Sequence, residues 1–448
     1  MSGSSFSTRR MLAVILVAYV LLALLYSAAT PLWEAPDEPA HYLYVEYLAV
    51  HGALPPQSPP QRVRFYEYGF VTSLYEWHQL PLYYALIAPP VAAANALWPG
   101  GVPQQFPPVN PDFPNAVRLF VSDVPRVLWQ APGPCVARLL SVVLGVLTLL
   151  ATYRLALAVA PGQQTAALTA VGFMAFIPQF TFLTGYVTND NLAGLLAALC
   201  LLALVELLAR HGAHDRRRVL GAGLLAALAL VTKLSLLFVL PLGWLVLALR
   251  AWRLRSAAHG VREAALFTGA AVSLLVAGAV LLPGIRAQLA HAVKLLEPQP
   301  AYLTLAYVAN LWPQTHASFW GRFGWMNVST PLWTAAVLDA VALVGLAGSL
   351  DWLRARQAPR GALLALWVCC GMLVIAFIRW NLCVLQPQGR LLFPALAAFC
   401  VLVALGWSRL ARQWSGWAGL GVVLLTLVAN LACLSGSLVP AYGVLSLP

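Results

Sequence analysis

Long apolar runs, separated by short polar or basic breaks, organise almost the whole chain. Residues 11–29, 135–153, 167–185, 191–209, 264–282, 331–350, 362–378, 391–407 and 416–434 each approach the ~20 residues that a helix needs to span a bilayer. Residues 219–249 form one further run, broken only by "TKLS". Basic residues lie on both sides of that run, so it is expected to cross twice. Each arm then has roughly 15 residues, or ~23 Å, short of a ~30 Å hydrocarbon core. The turn carrying Lys233 is therefore expected to sit deep. The pattern predicts an all-α, polytopic membrane fold with about 11 transmembrane helices. The first run is longer than the apolar part of a signal peptide and is read as a retained helix.

Charge turns this pattern into a topology. Arg9 and Arg10, Arg154, Arg210 with Arg216 to Arg218, Arg250 to Arg262, Arg354 to Arg360, and Arg409 with Arg412 mark the cytoplasmic side. The N-terminus is then inside and the C-terminus outside. The segment "LPLYYALIAPPVAAANALW" complicates the count, because one crossing there would invert every later loop. It also holds Pro89-Pro90, which would interrupt a spanning helix. Residues 81–98 are therefore expected to form a juxtamembrane or re-entrant helix at the outer surface. Residues 1–448 read as a single transmembrane domain. It has a long first outer loop at 30–134, a short outer turn "YVTNDNL", and a second large outer loop at 283–330. No separate soluble domain is expected.

Composition sharpens the class. The chain of 448 residues is 61% hydrophobic and 9% charged, with a mean hydropathy of +0.77. Its net charge of +12 does not point to nucleic acid, because the basic residues are scattered among apolar runs. Seven cysteines give no metal signature. Cys369 and Cys370 are adjacent inside an apolar run, and all seven read as small buried hydrophobes.

Candidate chemistry gathers on the outer side. "PLWEAPDEPAHYLYVEYL" holds four of the fifteen acidic residues, Glu34, Asp37, Glu38 and Glu46, with His41 among them. Pro39 suits a first helical turn, and Asp37 or Glu38 can cap it. His41 is four residues from Asp37, on the same helical face. The stretch has three readings: a capped helix with solvated carboxylates, a general base at a membrane surface, or a metal site built from Glu34, Asp37, Glu38 and His41. In "VTNDNLAG", Asn189 or Asp190 either caps the next helix or completes a polar site with Asp37. Lys233, Arg322, Arg379 and Arg390 lie where the positive-inside rule disfavours cations. Each alone can be an interface anchor; together they suit a phosphate. His78, in "HQLPLYY", is either an interfacial residue or a ligand contact. Asp339 is the one mid-helix acid, with no evident partner.

The order of motifs resembles a known family. It runs through "PDEPAH", "PLYY", "RLLSVVLG", "ALTAVGFMAFIPQF…TND", "GLLAALALVTKLS" and "QGRLLFPAL". It is similar to the GT-C superfamily of glycosyltransferases, in particular to bacterial relatives of protein O-mannosyltransferases and of the lipid A aminoarabinose transferase. The resemblance implies transfer of a sugar from a polyprenyl-phosphate donor to an acceptor hydroxyl or amine on the outer face of the cytoplasmic membrane, typically with inversion. It implies Asp37 as general base, with Glu38 completing the acidic pair. Asp190 corresponds to a second-loop acid, Lys233 to the lysine of a "TK" turn, and Arg390 to a phosphate contact at the outer end of a late helix. Arg322 is a further candidate for the donor phosphate, and His41, His78 and Asn189 for the substrate. No cofactor is required by that chemistry, although a divalent metal is possible. The expected partners are a polyprenyl-phosphate-linked sugar, a glycan, lipid or protein acceptor, and membrane lipid. Two departures stand out. "HQLP" replaces the lysine that aminoarabinose-transferase-like members carry before the Pro, and no sizeable soluble domain is expected after the last helix. A transporter or flippase for lipid-linked saccharides, a glycan polymerase or ligase, and a scaffold with a degenerate site are the alternatives.

Overall fold

The computed structural model describes residues 2–56, 62–65, 70–73, 76–98, 110–113, 116–120, 131–209, 215–297, 304–355 and 358–443. Arg210, one of the basic markers, lies outside them. The chain opens with α1 (Ser2–Ala29). The first loop holds α2 (Glu38–His51), an antiparallel ribbon of β1 (Arg62–Phe65) and β2 (Phe70–Ser73), and α3 (Leu82–Leu97). Then come α4 (Pro132–Val159), α5 (Gln164–Phe176), α6 (Pro178–Leu183), α7 (Asp190–Ala209), α8 (Arg216–Thr232), α9 (Val239–Arg253) and α10 (Ala257–Leu281). The second loop holds α11 (Pro283–Lys294), α12 (Leu305–Trp320) and a short ribbon of β3 (Arg322–Phe323) and β4 (Val328–Ser329). The chain closes with α13 (Leu332–Arg354), α14 (Arg360–Asn381), α15 (Leu396–Ala411), α16 (Ser415–Cys433) and α17 (Val439–Tyr442).

Each predicted apolar segment is helical. Among the described residues, eight helical stretches are long and apolar enough to cross a membrane. One of them, Gly389–Tyr442, runs for 54 residues and contains two of the predicted segments. The remaining segments show why length alone misleads. Residues 167–185 are not one helix, because Pro178 forces Ile177 into an extended conformation, with ψ 119. The chain restarts as α6 and delivers "TND" to the turn before α7. In α3 the reverse holds, since the helix continues through Pro89 and Pro90. Tyr83, Tyr84, Ile87 and Val91 are buried where α3 meets α2 and α4, and this packing outweighs the two lost backbone donors. At "TKLS" the break falls where predicted: α8 ends at Thr232, Lys233 is extended, and the 3-10 turn Leu234–Phe238 leads into α9.

The core is helix on helix. α15 packs against α5 and α13, and its contact with α13 is backbone on backbone. A Cβ on Gly406 would lie 1.6 Å from the Gly345 carbonyl oxygen, so only glycine fits there. Three charges assigned from sequence to solvent, topology or isolation prove to be structural. Glu34 is buried and accepts from the backbone N–H of Leu119 at 3.0 Å and of Phe120 at 3.1 Å, pinning the far end of the first loop. Arg250, read as a cytoplasmic marker, is buried between Asp215 (3.0 Å) and Glu263 (3.5 Å). Asp339 has partners after all, His316 at 2.9 Å and the Trp320 indole N–H at 2.8 Å, both supplied by α12.

Candidate active site

The turn before α2 places two neighbouring carboxylates in opposite directions. Asp37 is the N-cap of α2 and has a left-handed backbone, φ 63, a conformation that Asp and Asn tolerate better than most residues. Its carbonyl accepts the first helical bond, from His41 N at 3.0 Å. Its carboxylate makes no cap bond, contrary to the capping expectation, and is free to reach across the fold. Glu38, one residue on, turns inward and is fully buried. It takes the fork of Arg138 in α4, with Nε donating at 2.7 Å and Nη2 at 2.6 Å. It also accepts from the backbone N–H of Trp33 (3.1 Å) and Val187 (3.2 Å). Arg138 donates further to the carbonyls of Ser27, Thr30 and Pro31. Glu38 therefore holds the end of α1, the start of α2, α4 and the turn before α7 together. This geometry revises the expectation of a catalytic Glu38, since no oxygen of it is left for a substrate.

Asp37 meets Arg390 instead. Arg390 sits in the 3-10 turn Gly389–Ala395, which α12 grips at its first residue: Ser318 Oγ accepts from Gly389 N at 2.8 Å. A Cβ on Gly389 would lie 2.3 Å from Phe319 N, so glycine is what lets the turn come so close. All three nitrogens of the guanidinium are engaged. Nε donates to Gln388 Oε1 at 2.6 Å, Nη1 to the Tyr186 hydroxyl at 3.2 Å, and Nη2 to the Asp37 carboxylate. Asp190, at the start of α7, lies 3.8 Å from Arg390 Nη1 and accepts from Lys233 Nζ. The "TND" turn, the "TKLS" break and the "QGR" turn thus converge on Asp37. Of the four charged side chains, Asp190 is 7% exposed, Arg390 5% and Lys233 14%, while Asp37 is 27% exposed. Asp37 is the most open of the four. Burial alone would raise its pKa, but the Arg390 guanidinium, and after it His41, hold the carboxyl below its usual range.

A polar rim surrounds this quartet. His41 stacks near Tyr84, with Nδ1 2.8 Å from its hydroxyl and Nε2 3.5 Å from Thr188 Oγ1. Burial lowers the His41 pKa, against the pull of Glu76 and Asp37. Asn189 Nδ2 donates to Gln79 Oε1 at 3.1 Å. His78 lies between Gln79 (3.2 Å) and Glu76 (3.1 Å) and is partly exposed. The helix start at α7 is served by Thr188, whose hydroxyl accepts from Asp190 N at 3.3 Å, which leaves the Asp190 carboxylate to Lys233. Arg322 stands apart. Its backbone N–H donates to Gln179 at 2.8 Å, and among the described residues it makes no bond with Asp37, Asp190, Lys233 or Arg390. Arg379 likewise turns to Cys383 and the Leu296 carbonyl.

Sequence reasoning missed Arg138, Tyr186 and Gln388. Arg138 carried a readable signal, an arginine on the outer side of an apolar run, against the positive-inside rule. Tyr186 and Gln388 are ordinary interfacial residue types and carried none.

No protein-family model and no curated protein matches the chain. Solved structures do. Arabinofuranosyltransferase AftD from Mycobacteria aligns over 96% of this chain and 27% of its own, at 17% identity and a TM-score of 0.55. The Archaeoglobus fulgidus oligosaccharyltransferase AglB, in complex with an inhibitory peptide and a dolichol-phosphate, aligns over 96% of this chain and 55% of its own, at 15% identity and a TM-score of 0.51. The same oligosaccharyltransferase is also known with Zn and sulfate, at 16% identity and a TM-score of 0.50, over 94% of this chain and 53% of its own. ArnT from Cupriavidus metallidurans in the apo state aligns over 96% of this chain and 73% of its own, at 14% identity and a TM-score of 0.50. The chain thus spans about half the length of the oligosaccharyltransferase. These likenesses show that it shares the fold of these structures.

Proposed function

We propose that this chain is a membrane glycosyltransferase that moves a sugar from a polyprenyl-phosphate donor to an acceptor hydroxyl or amine at the outer face of the cytoplasmic membrane, with Asp37 as general base. The observation that carries the reading is the quartet: two carboxylates and two cations from four distant segments meet at one point, with Asp37 the most open. The GT-C fold supports the reaction class. The AglB complex with a dolichol-phosphate supports the donor class.

The chemistry is a single displacement. The donor phosphate lies against Arg390 and Lys233. Asp37 accepts the acceptor's proton as the acceptor oxygen bonds to the anomeric carbon. The carbon–oxygen bond to phosphate breaks on the opposite face, its electron pair leaving with the polyprenyl phosphate, and the anomeric centre inverts. A phosphate is a stable leaving group, so it needs cationic stabilisation rather than a protonating acid. Asn189, with Gln79, and His41 supply hydrogen bonds to the substrates, and His78 lies further out on the rim. Glu38 and Arg138 are positioning residues.

A divalent metal, such as the Zn of the oligosaccharyltransferase structure, would have to displace the cations paired with Asp37 and Asp190. Asp37 is held by Arg390 and Asp190 by Lys233, so ammonium and guanidinium groups already sit where a metal's charge would act. Among the described residues no three His, Cys, Asp or Glu side chains gather as ligands.

The test is turnover by purified protein in liposomes supplied with polyprenyl-phosphate sugars and candidate acceptors. Asp37→Asn is expected to lower kcat by about 100-fold or more, the usual range for a lost general base. Equal turnover by the variant and the native protein would remove Asp37 from the mechanism.

A further inference from the structure

We propose that Arg390 latches Asp37 in the resting protein, and that the donor phosphate opens the latch by taking the guanidinium, so that donor binding is the event that frees the base. The inference rests on reading Asp37 as the base and Arg390 as a phosphate contact. It starts from a difficulty in that reading: the carboxylate meant to take a proton is tied to a guanidinium. A carboxylate so held is a weak base, and general bases work best with a pKa near the operating pH.

The geometry shows which bond gives way. Two of the three guanidinium nitrogens hydrogen-bond to neutral partners, Nε to Gln388 at 2.6 Å and Nη1 to Tyr186 at 3.2 Å, with Asp190 3.8 Å from Nη1. Those bonds can stay while the third edge changes partner, so the plane of Arg390 is kept. The Nη2 edge is shared with Asp37, the most open of the four side chains. An anion arriving by the route that exposes Asp37 therefore meets this edge first.

Charge settles which carboxylate leaves. At rest Asp37 and Asp190 balance Arg390 and Lys233. A phosphodiester adds one negative charge, and one carboxylate has to release its cation. Asp190 is the more buried and is bonded to Lys233. Among the described residues Arg390 is the cation that bonds Asp37, and solvent stands ready to take its place. Once exchanged, Asp37 loses a neighbouring cation and gains a neighbouring anion, and both changes favour proton uptake. The base becomes effective only when a donor is in place.

The experiment is binding rather than turnover. A sugar-free polyprenyl phosphate is titrated into the full-length protein in nanodiscs and read by native mass spectrometry. Removing the internal competitor is expected to tighten binding: Asp37→Asn lowers the Kd by about tenfold, because the resting state no longer withholds Arg390. Asparagine suits the left-handed backbone at this position. Asp37→Ser, which also drops the charge, gives the same reading should the first variant fold poorly. Arg390→Gln weakens binding by about tenfold or more. Glu76→Gln, which removes a carboxylate paired with His78 rather than with either cation, leaves the Kd within about twofold. Binding that Arg390→Gln weakens and neither Asp37 variant tightens overturns the latch and leaves the donor reading intact. Equal tightening by Glu76→Gln overturns it as well, since the effect is then long-range charge. Failure of the native protein to bind polyprenyl phosphate at all sinks the donor reading itself.

Discussion

Asp37 is defined by the charged groups that face it. Arg390 bonds it, His41 lies one helical turn along α2, and Asp190 stands behind Arg390. Burial works against ionisation, and Arg390 and His41 outweigh it, so the folded pKa is depressed. The sign of the consequence is fixed by linkage. The contribution of Asp37 to stability is fully present above the ordinary carboxylate pKa. It is lost as pH falls through the lower folded value. Thermal unfolding of native protein and Asp37→Asn in detergent should therefore show a Tm gap that is widest near neutrality and closes on acidification. A gap that stays constant across that acidic window would mean that the Arg390 pairing contributes nothing to the fold. Residue type and order in "APDEPAH" made Asp37 legible as a candidate. They did not separate it from Glu38, because both are acids at a helix start, and their directions depend on the left-handed turn at Asp37 and on Arg138 across the fold.

At the scale of elements, the Glu38–Arg138 pair fastens α1, α2, α4 and the turn before α7. A buried pair of this kind is costly to break from one side, because the surviving charge is left unpaired. Glu38→Gln or Arg138→Met alone is expected to destabilise the fold by about 3–5 kcal/mol. Glu38→Leu combined with Arg138→Met should recover much of that loss, because no orphan charge remains. Chemical or thermal unfolding of the three variants measures this. A Glu38→Gln protein with native stability and lost turnover would restore Glu38 to the chemistry. The elements themselves were largely legible. The apolar runs fixed where helices form, Pro178 explains the α5–α6 break, and "TKLS" marks the α8–α9 break. The helix expected at 81–98 is present as α3, a short apolar helix, but the Pro pair does not break it, because packing on α2 and α4 outweighs local backbone cost, and no local pattern reports packing.

For the whole molecule, sidedness links topology to function. If the outer face is the one bearing α3, the exposed Pro89 lies outside. A Pro89→Cys substitution, in a chain whose own seven cysteines are replaced, should then react with a membrane-impermeant maleimide added externally. Reaction only from the cytoplasmic side would invert every later loop and place the quartet on the inner face. The fold gathers the quartet from the first loop, the turn before α7, the break after α8 and the turn before α15. Those four segments are separated by up to 353 positions in the chain, the Asp37–Arg390 span.

What the sequence determined by itself was the solvent for each segment: apolar length sets the helices, arginine placement suggests the topology, and proline and lysine set the breaks. These are local properties, written in a few neighbouring residues. Only the tertiary structure decided which charges meet. It paired Asp37 with Arg390 and Asp190 with Lys233, sent Glu38 to Arg138, gave Asp339 to His316 and Trp320, and left Arg322 and Arg379 outside the quartet. Charge pairing depends on distances of a few ångströms between segments far apart in the chain, and no run of neighbouring residues encodes such a distance.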